Sequence, residues 1–160
     1  MEEIRLLRPS IEYGEDIMQF RQEIIKANDT DSFAGCGSLR CCSTIEEWLH
    51  ILTEMENVNT CPTGSVTSNT YIAVRSSDNK TVGVIDLRHH INHPILELWG
   101  GHIGYSIRPS ERNKGYAKEM LRQSFQKCKD RCMDRVMITC SRDNFASENK
   151  INSFALLSKS

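Results

Sequence analysis

The chain has 160 residues, of which 39% are hydrophobic and 26% charged, and 20 Lys and Arg against 21 Asp and Glu give a net charge of −1. This length is typical of a single domain, 1–160, that buries a core without disulfides, and the composition excludes disordered, collagen-like and coiled-coil chains. The near-zero net charge argues against a general nucleic-acid binder.

No apolar run approaches the roughly 18 residues that a membrane span needs. Residues 1–10 carry charges throughout and show neither the apolar core nor the cleavage site of a secretory signal. The seven cysteines are an odd number. We therefore expect a cytoplasmic protein with reduced thiols and no membrane partner.

The first third of the chain is predicted to form one strand and two helices. Charged and apolar side chains alternate over 3–8, which predicts a short strand. A helix is predicted over 10–27. Its apolar stripe would consist of Ile11, Ile17, Phe20, Ile24 and Ile25. After a loop over 28–42, Ser43 or Thr44 would cap a second helix, in which apolar residues recur at three- and four-residue spacing.

The rest of the chain predicts strands around one long helix. The predicted strands are 70–74, 82–91, 102–108 and 135–140. The helix, 115–131, joins the last two strands, so these would run parallel through a helical crossover. Asn144 opens a further helical stretch. Together the elements predict a mixed α/β sheet, in which Ile103, Tyr105 and Ile107 share one face.

The most informative segment is 101–117, GHIGYSIRPSERNKGYA. A strand ends at Pro109, a polar turn follows, and Gly115 comes just before the long helix. Such a turn directs unpaired N–H groups and the positive end of the helix dipole at one point, and a glycine lets an anion approach closely. Nearby Arg108, Arg112 and Lys114 would add mobile positive charge. The segment therefore predicts a phosphate or pyrophosphate site, although it matches neither a Walker A loop nor G-x-G-x-x-G.

These residues resemble the GNAT superfamily of acyl-CoA N-acyltransferases. Its coenzyme-binding signature, Arg/Gln-x-x-Gly-x-Gly/Ala, is met by Arg112, Gly115 and Ala117, between a strand ending in Arg-Pro and an amphipathic helix. A bacterial branch of the superfamily is more similar still, through VGVIDLRH at 82–89, GGHIGY at 100–105 and RPSER at 108–112. The order of elements also agrees, from residue 3 to about residue 154.

The resemblance implies a GNAT fold with a mixed, mostly antiparallel central sheet and helices on both faces. It implies an N-acetyltransferase that moves an acetyl group from acetyl-CoA to a primary amine by direct attack. Backbone amides at 113 and 115–117 would hold the pyrophosphate, and the strand edge at 106–108 would pair with pantetheine. The implied coenzyme-binding residues are Ser106, Ile107, Arg108, Arg112, Asn113, Lys114, Gly115, Tyr116, Ala117 and Asn144.

The reaction needs a base for the amine proton, an N–H for the thioester oxygen and an acid for the thiolate. The family implies a backbone N–H near Ile107 for the oxygen. Glu97, His102 and His89 are the candidate bases by sequence position, with buried structural histidines and a solvated glutamate as the alternative roles. Many relatives carry a tyrosine acid where this chain has Ile151, so the thiolate would leave unassisted or find its acid elsewhere.

The sequence also departs from the family near residue 160. It carries Ala155-Leu156 where relatives have a glycine turn, and it ends four residues into an expected strand. We therefore expect a C-terminally incomplete sheet whose edge a second chain could cover in a homodimer. The alternative function is a non-catalytic acyl-CoA-binding module. The sequence leaves the acceptor open among small molecules and peptides, and nucleic acid is not an expected partner.

A zinc site is the alternative to unmodified thiols. Four cysteines and three histidines lie in two segments: Cys36, Cys41, Cys42 and Cys61, and His89, His90 and His93. Of these cysteines only Cys36 and Cys41 have a knuckle spacing, at its limit of four intervening residues, and the other such pair, Cys128 and Cys132, is predicted to share one helix face. We therefore expect no metal.

Overall fold

The computed structural model describes residues 1–28, 33–91, 101–133 and 135–138, and the backbone of a strand at Phe154–Leu156. Its strands are β1 (Ile4–Leu7), β2 (Ser68–Arg75), β3 (Lys80–Arg88), β4 (Ile103–Ile107), β5 (Arg135–Met137) and β6 (Phe154–Leu156). Its helices are α1 (Gly14–Lys26), α2 (Ile45–Met55) and α3 (Tyr116–Asp130). Short 3₁₀ turns within these described ranges are Ile11–Tyr13, Leu39–Cys41 and Pro109–Glu111.

The strands form one antiparallel sheet and one separate pair. The order in the larger sheet is β1-β2-β3-β4, each strand antiparallel to its neighbour, and β5 pairs antiparallel with β6. A parallel bridge between Ile103 and Ile138 and a 2.8 Å hydrogen bond from His102 N to Met137 O connect the start of β4 to β5. The parallel direction agrees with the predicted crossover through α3.

Helices cover both faces of the larger sheet. On one face, Met120 and Leu121 of α3 pack against β1, β3 and β4. On the other face, Phe20 of α1 and Trp48 of α2 are fully buried over the central strands. In β4, Ile103 belongs to the α3 side, as the alternation predicts. The fold is therefore mixed α/β with a mostly antiparallel sheet and helices on both faces, which confirms the prediction.

The start of α1 differs from the prediction. Residues Ile11–Tyr13 form a separate 3₁₀ turn, and α1 begins at Gly14. A Cβ on Gly14 would lie 3.0 Å from Ile45 Cγ2, so the glycine allows the two helices to approach closely. The predicted apolar stripe is wrong at Ile11 and Ile25, which are 60% and 42% exposed. Ile11 lies in the 3₁₀ turn and so off the α-helical repeat, and Ile25 is turned about 100° around the helix axis from Ile24.

The start of α2 agrees with the prediction at Thr44. Its hydroxyl accepts a 3.2 Å hydrogen bond from Glu47 N, and the Glu47 carboxylate accepts one from Ser43 N at 3.0 Å. These two bonds satisfy N–H groups that have no partner within the helix. The cap fixes the end of the loop that approaches β4.

Several expectations concern parts of the chain outside the described residues. These are the helical stretch that begins at Asn144 and the chain after 156, on which the homodimer was based. The final strand is present at Phe154–Leu156, three residues earlier than expected. None of the helices among the described residues has the length and apolar character to cross a membrane.

Candidate functional site

The turn between β4 and α3 has the backbone shape of an anion site. After the 3₁₀ turn Pro109–Glu111, Asn113 and Gly115 both adopt left-handed conformations, with φ of 63° and 90°. Asparagine and glycine are the residues that tolerate this region best. The N–H groups of the first turn of α3, which begins at Tyr116, have no partner within the helix. The positive end of the helix dipole lies at the same point.

Glu111 holds this turn against the β2–β3 hairpin. Its buried carboxylate accepts from Arg75 Nη1 at 2.8 Å and from Lys114 Nζ at 2.9 Å, and Lys80 Nζ lies 3.3 Å away. Burial alone would raise the pKa of Glu111, but the hydrogen bonds from Lys114, Arg75 and Lys80 lower it to about 2. Arg75 also donates to the Tyr116 hydroxyl at 3.3 Å. The hydrogen bonds of Glu111 and Arg75 therefore hold both the turn and the first residue of α3 in place.

Arg108 braces the same turn from the side of α1, and it does not supply the mobile charge predicted for it. It is 4% exposed, and it donates to Glu23 at 2.7 Å and to Asp16 at 3.0 Å. Glu23 also accepts a 2.6 Å hydrogen bond from Ser110 N. Burial would raise the pKa of Glu23, but the hydrogen bonds from Ser110 and Arg108 lower it. The carboxylates of α1 thus hold the start of the turn.

The other two cations of the segment stay near the turn. Arg112 Nε donates to the carbonyl of Ile107 at 3.3 Å. The Lys114 side chain is 51% exposed while its ammonium contacts Glu111. Unlike Arg108, Lys114 and Arg112 therefore lie at the surface of the turn.

Ile107 presents its backbone to the side of β4 away from β3. Arg108 N donates to Val82 O at 2.8 Å and Arg88 N donates to His102 O at 2.7 Å, so the even-numbered positions of β4 face β3. Because strand residues alternate, the N–H and C=O of Ile107 face the opposite edge. The backbone N–H of Ile107 therefore points to that edge, and its role towards a ligand stays a prediction.

Ser106 serves the core rather than that edge. Its side chain is buried and its Oγ lies 3.1 Å from Cys36 Sγ. Cys36 is itself fully buried, and burial raises the pKa of its thiol to about 12, which makes it a poor nucleophile. Of the three positions 106–108, Ile107 is thus the one whose backbone faces outward.

His89 follows β3, and both of its ring nitrogens are hydrogen-bonded. Nδ1 lies 2.8 Å from the Thr67 hydroxyl and Nε2 lies 2.6 Å from Asn69 Oδ1. Burial, with the charges of Arg131 and His90, lowers the pKa of His89 to about 4. The ring bridges the chain before β2 to β2 itself, and its role as a base stays a prediction.

His102 connects β4 to β5 through its ring and its backbone. Nδ1 accepts a 2.9 Å hydrogen bond from Met137 N, so the proton of the neutral ring is on Nε2. Burial, with the charges of Arg88 and His90, lowers the pKa of His102. A proton can bind Nδ1 only if Met137 N–H leaves it. His102 as the base also stays a prediction, and Glu97 and Asn144 lie outside the described residues.

Two acidic residues near the site were missed by the sequence reasoning. The sequence places Glu111 in a polar turn and gives no sign of its burial, because its partner Arg75 is distant in sequence. Asp86 lies inside β3, where Thr70 Oγ1 donates to it at 2.9 Å. A charged residue within the apolar run VGVIDL was a signal that could have found Asp86.

A metal-binding cluster is not seen in the described part of the chain, where His, Cys, Asp and Glu form no group of three or more that could hold an ion. The prediction that Cys128 and Cys132 share a helix face is wrong. Cys128 is buried in α3, whereas Cys132 follows the end of the helix at Asp130 and is exposed. Its positive φ of 61° marks the point where the chain leaves the helix.

Comparison with known proteins gives two findings. The model of the acetyltransferase (GNAT) domain family matches residues 15–152. Among solved structures, the chain is similar to an acetyltransferase of the GNAT family from Staphylococcus aureus Mu50, with 17% identity and a TM-score of 0.49, over 92% of this chain and 79% of that chain. No curated protein matches the chain.

Proposed function

Because the chain belongs to the GNAT acetyltransferase family, we propose that it transfers an acetyl group from acetyl-CoA to a primary amine. Family membership assigns acyl transfer in general; the acetyl-CoA donor, the amine acceptor and direct attack are the proposal. In the proposed reaction the amine nitrogen bonds to the thioester carbon and the C–S bond breaks. The amine loses one proton to a base, and the thiolate takes up a proton.

The observation that carries the proposal is the turn with two left-handed residues in front of α3. Its N–H groups at Asn113, Gly115, Tyr116 and Ala117 suit the two negative charges of a pyrophosphate. The ion pairs of Glu111 hold these groups in place before a ligand arrives, which lowers the ordering cost of binding. Arg112 and Lys114 would supply the surrounding positive charge.

The outward edge at Ile107 supports the second half of the coenzyme site. An extended pantetheine chain carries amides that can pair with a strand, and the N–H of Ile107 has the right direction for this. Its C=O faces the same edge and already accepts a hydrogen bond from Arg112 Nε. An N–H at this edge can also stabilise negative charge on a thioester oxygen. In the proposal, Ser106 and Arg108 flank this position, and Asn144 also binds the pantetheine chain of the coenzyme.

For the base, the proposal keeps Glu97, His102 and His89 as candidates. A base needs a ring nitrogen that can take up a proton, and hydrogen bonds occupy ring nitrogens of both His89 and His102. This observation favours a second candidate function. That second function is a non-catalytic module that binds acyl-CoA. It is also supported by Ile151 at the position where many relatives carry a tyrosine acid.

Two measurements on the purified chain separate these functions. Titration calorimetry with acetyl-CoA measures binding, and a thiol reagent measures CoA release in the presence of a panel of primary amines. Binding with amine-dependent release supports the transferase, whereas binding without release supports the module. If acetyl-CoA does not bind, both proposals are wrong.

A further inference from the structure

On the face covered by α1 and α2, side chains of β2, β3 and β4 lie in three cross-strand rows. In order from the β2–β3 turn, the rows are Ile72, Val84 and Ser106; Thr70, Asp86 and Gly104; and Ser68, Arg88 and His102. Ile72 and Val84 are buried in the core under the two helices. The face therefore changes from apolar to polar at the row that contains Asp86.

Asp86 forms no ion pair within 4 Å in the described part of the chain, although the charge of Arg88 acts on it. Thr70 Oγ1 donates to its Oδ1 at 2.9 Å, and the Ser68 hydroxyl lies nearby. The other carboxylates around the site differ, since Glu23 contacts Arg108 and Glu111 contacts Arg75. Burial raises the pKa of Asp86, and the Thr70 hydrogen bond and the charge of Arg88 offset this only in part. An uncompensated carboxylate in such a place is unfavourable for the fold and favourable for a cationic ligand.

The charged groups around Asp86 do not neutralise it. Arg88 is two residues further along β3, and its Nη1 donates to the carbonyl of Gly101 at 3.0 Å. His102 occupies the same row as Arg88, and its Nδ1 accepts from Met137 N. Cys36, in the loop, keeps its proton because burial raises the pKa of its thiol, and the negative charge of Asp86 adds to this rise.

The loop between the first two helices bounds Asp86 on the side of β4. A Cβ on Gly35 would lie 2.3 Å from Gly104 O, so the loop backbone rests directly on the strand there. Trp48 Nε1 donates to Cys36 O at 2.9 Å and fixes the loop in this position. Asp86 thus lies between Thr70 and the Gly35–Gly104 contact, and it remains partly exposed.

This position is close to where the reactive end of the coenzyme would arrive. Gly104, the cross-strand neighbour of Asp86, lies three residues before Ile107, or about 10 Å along the strand. A coenzyme held at the turn before α3 and paired at Ile107 would extend along β4 towards Gly104. From this placement we propose that Asp86 binds the acceptor amine as an ammonium ion, which loses one proton to solvent before its nitrogen attacks the thioester and a second proton to the base afterwards. The inference rests on the proposed acetyl transfer and adds the residue that recognises the acceptor.

The test compares Asp86→Asn with wild type and with Asp130→Asn, an exposed aspartate at the end of α3. Asparagine keeps the acceptor for Thr70 and removes the charge. We expect acetyl-CoA affinity within about twofold of wild type, and a loss of about 100-fold in kcat/KM for the primary amine that wild type uses best. Asp130→Asn should match wild type in both.

A melting measurement separates this effect from misfolding. We expect Asp86→Asn to melt at or above the wild-type temperature, since burial disfavours the charged carboxylate and asparagine keeps the acceptor for Thr70. Wild-type kcat/KM in Asp86→Asn, or loss of its fold, would overturn the inference while leaving acetyl transfer in place. If wild type fails to bind acetyl-CoA, the proposed function is wrong. The role of Asp86 is then tested with primary amines at millimolar concentration, which should raise the melting temperature of wild type and not that of Asp86→Asn.

Discussion

Replacement of Glu111 by Gln should destabilise the protein substantially. The change keeps the size of the side chain and removes the negative charge that Arg75, Lys80 and Lys114 surround. Lowering the pKa of Glu111 from 4.5 to about 2 corresponds to about 3 kcal/mol. The Glu111 side chain is only 5% exposed, so water screens little of this. For a chain of this size, we expect the melting temperature to fall by about 6–12 °C.

The pH dependence of this loss has a definite sign. The pKa of Glu111 is lower in the folded chain than in the unfolded one, so its contribution is complete above about pH 4.5 and disappears as pH falls towards 2. The difference in melting temperature between Glu111→Gln and wild type should therefore shrink over this range. Scanning calorimetry from pH 7 to pH 2.5 measures it.

Glu119 provides the matched control. Its pKa is also about 2, through hydrogen bonds from Arg122 and Gln123, but the Arg122 side chain is 70% exposed. Because water and salt screen such a surface pair, Glu119→Gln should change the melting temperature by less than about 2 °C. Equal decreases for the two variants, or a decrease below about 2 °C for Glu111→Gln, would refute the argument from burial.

Two further predictions follow from backbone conformation and histidine burial. Gly115→Ala places a Cβ at φ 90°, which should cost about 1–2 kcal/mol and weaken acetyl-CoA binding in calorimetry. Gly64 has nearly the same φ of 87° and nothing lies near its Cβ, so Gly64→Ala should destabilise the fold to a similar degree and leave acetyl-CoA binding unchanged. Equal losses of acetyl-CoA binding in the two variants would contradict the placement of the coenzyme site at Gly115. The ring of His89, with a pKa of about 4, should stay neutral above pH 5 in NMR titration. Stability should fall as pH drops from 6.5 towards 4, and His89→Gln should reduce this dependence to the part that His102 contributes. An NMR midpoint near 6.5 for His89 would contradict the burial argument.

The order and type of most elements follow from the sequence, because the apolar repeats of strands and helices are local. The cap at Thr44 and the outward position of Ile107 are local in the same sense, since both depend on the few residues around them. The turn before α3 was also predictable, because Asn113 and Gly115 are the residue types that adopt the conformation it needs.

The partners of the charged residues were decided by tertiary structure alone. Sequence spacing suggested mobile charge at Arg108, but α1 brings Asp16 and Glu23 to it from more than 80 residues away. Glu111 finds Arg75 across the sheet in the same way. A charge can be read from a sequence, whereas its counter-ion depends on which strands and helices pack together. The lack of an ion pair at Asp86 likewise depends on its neighbours in the folded sheet and not on the residues around it in the sequence.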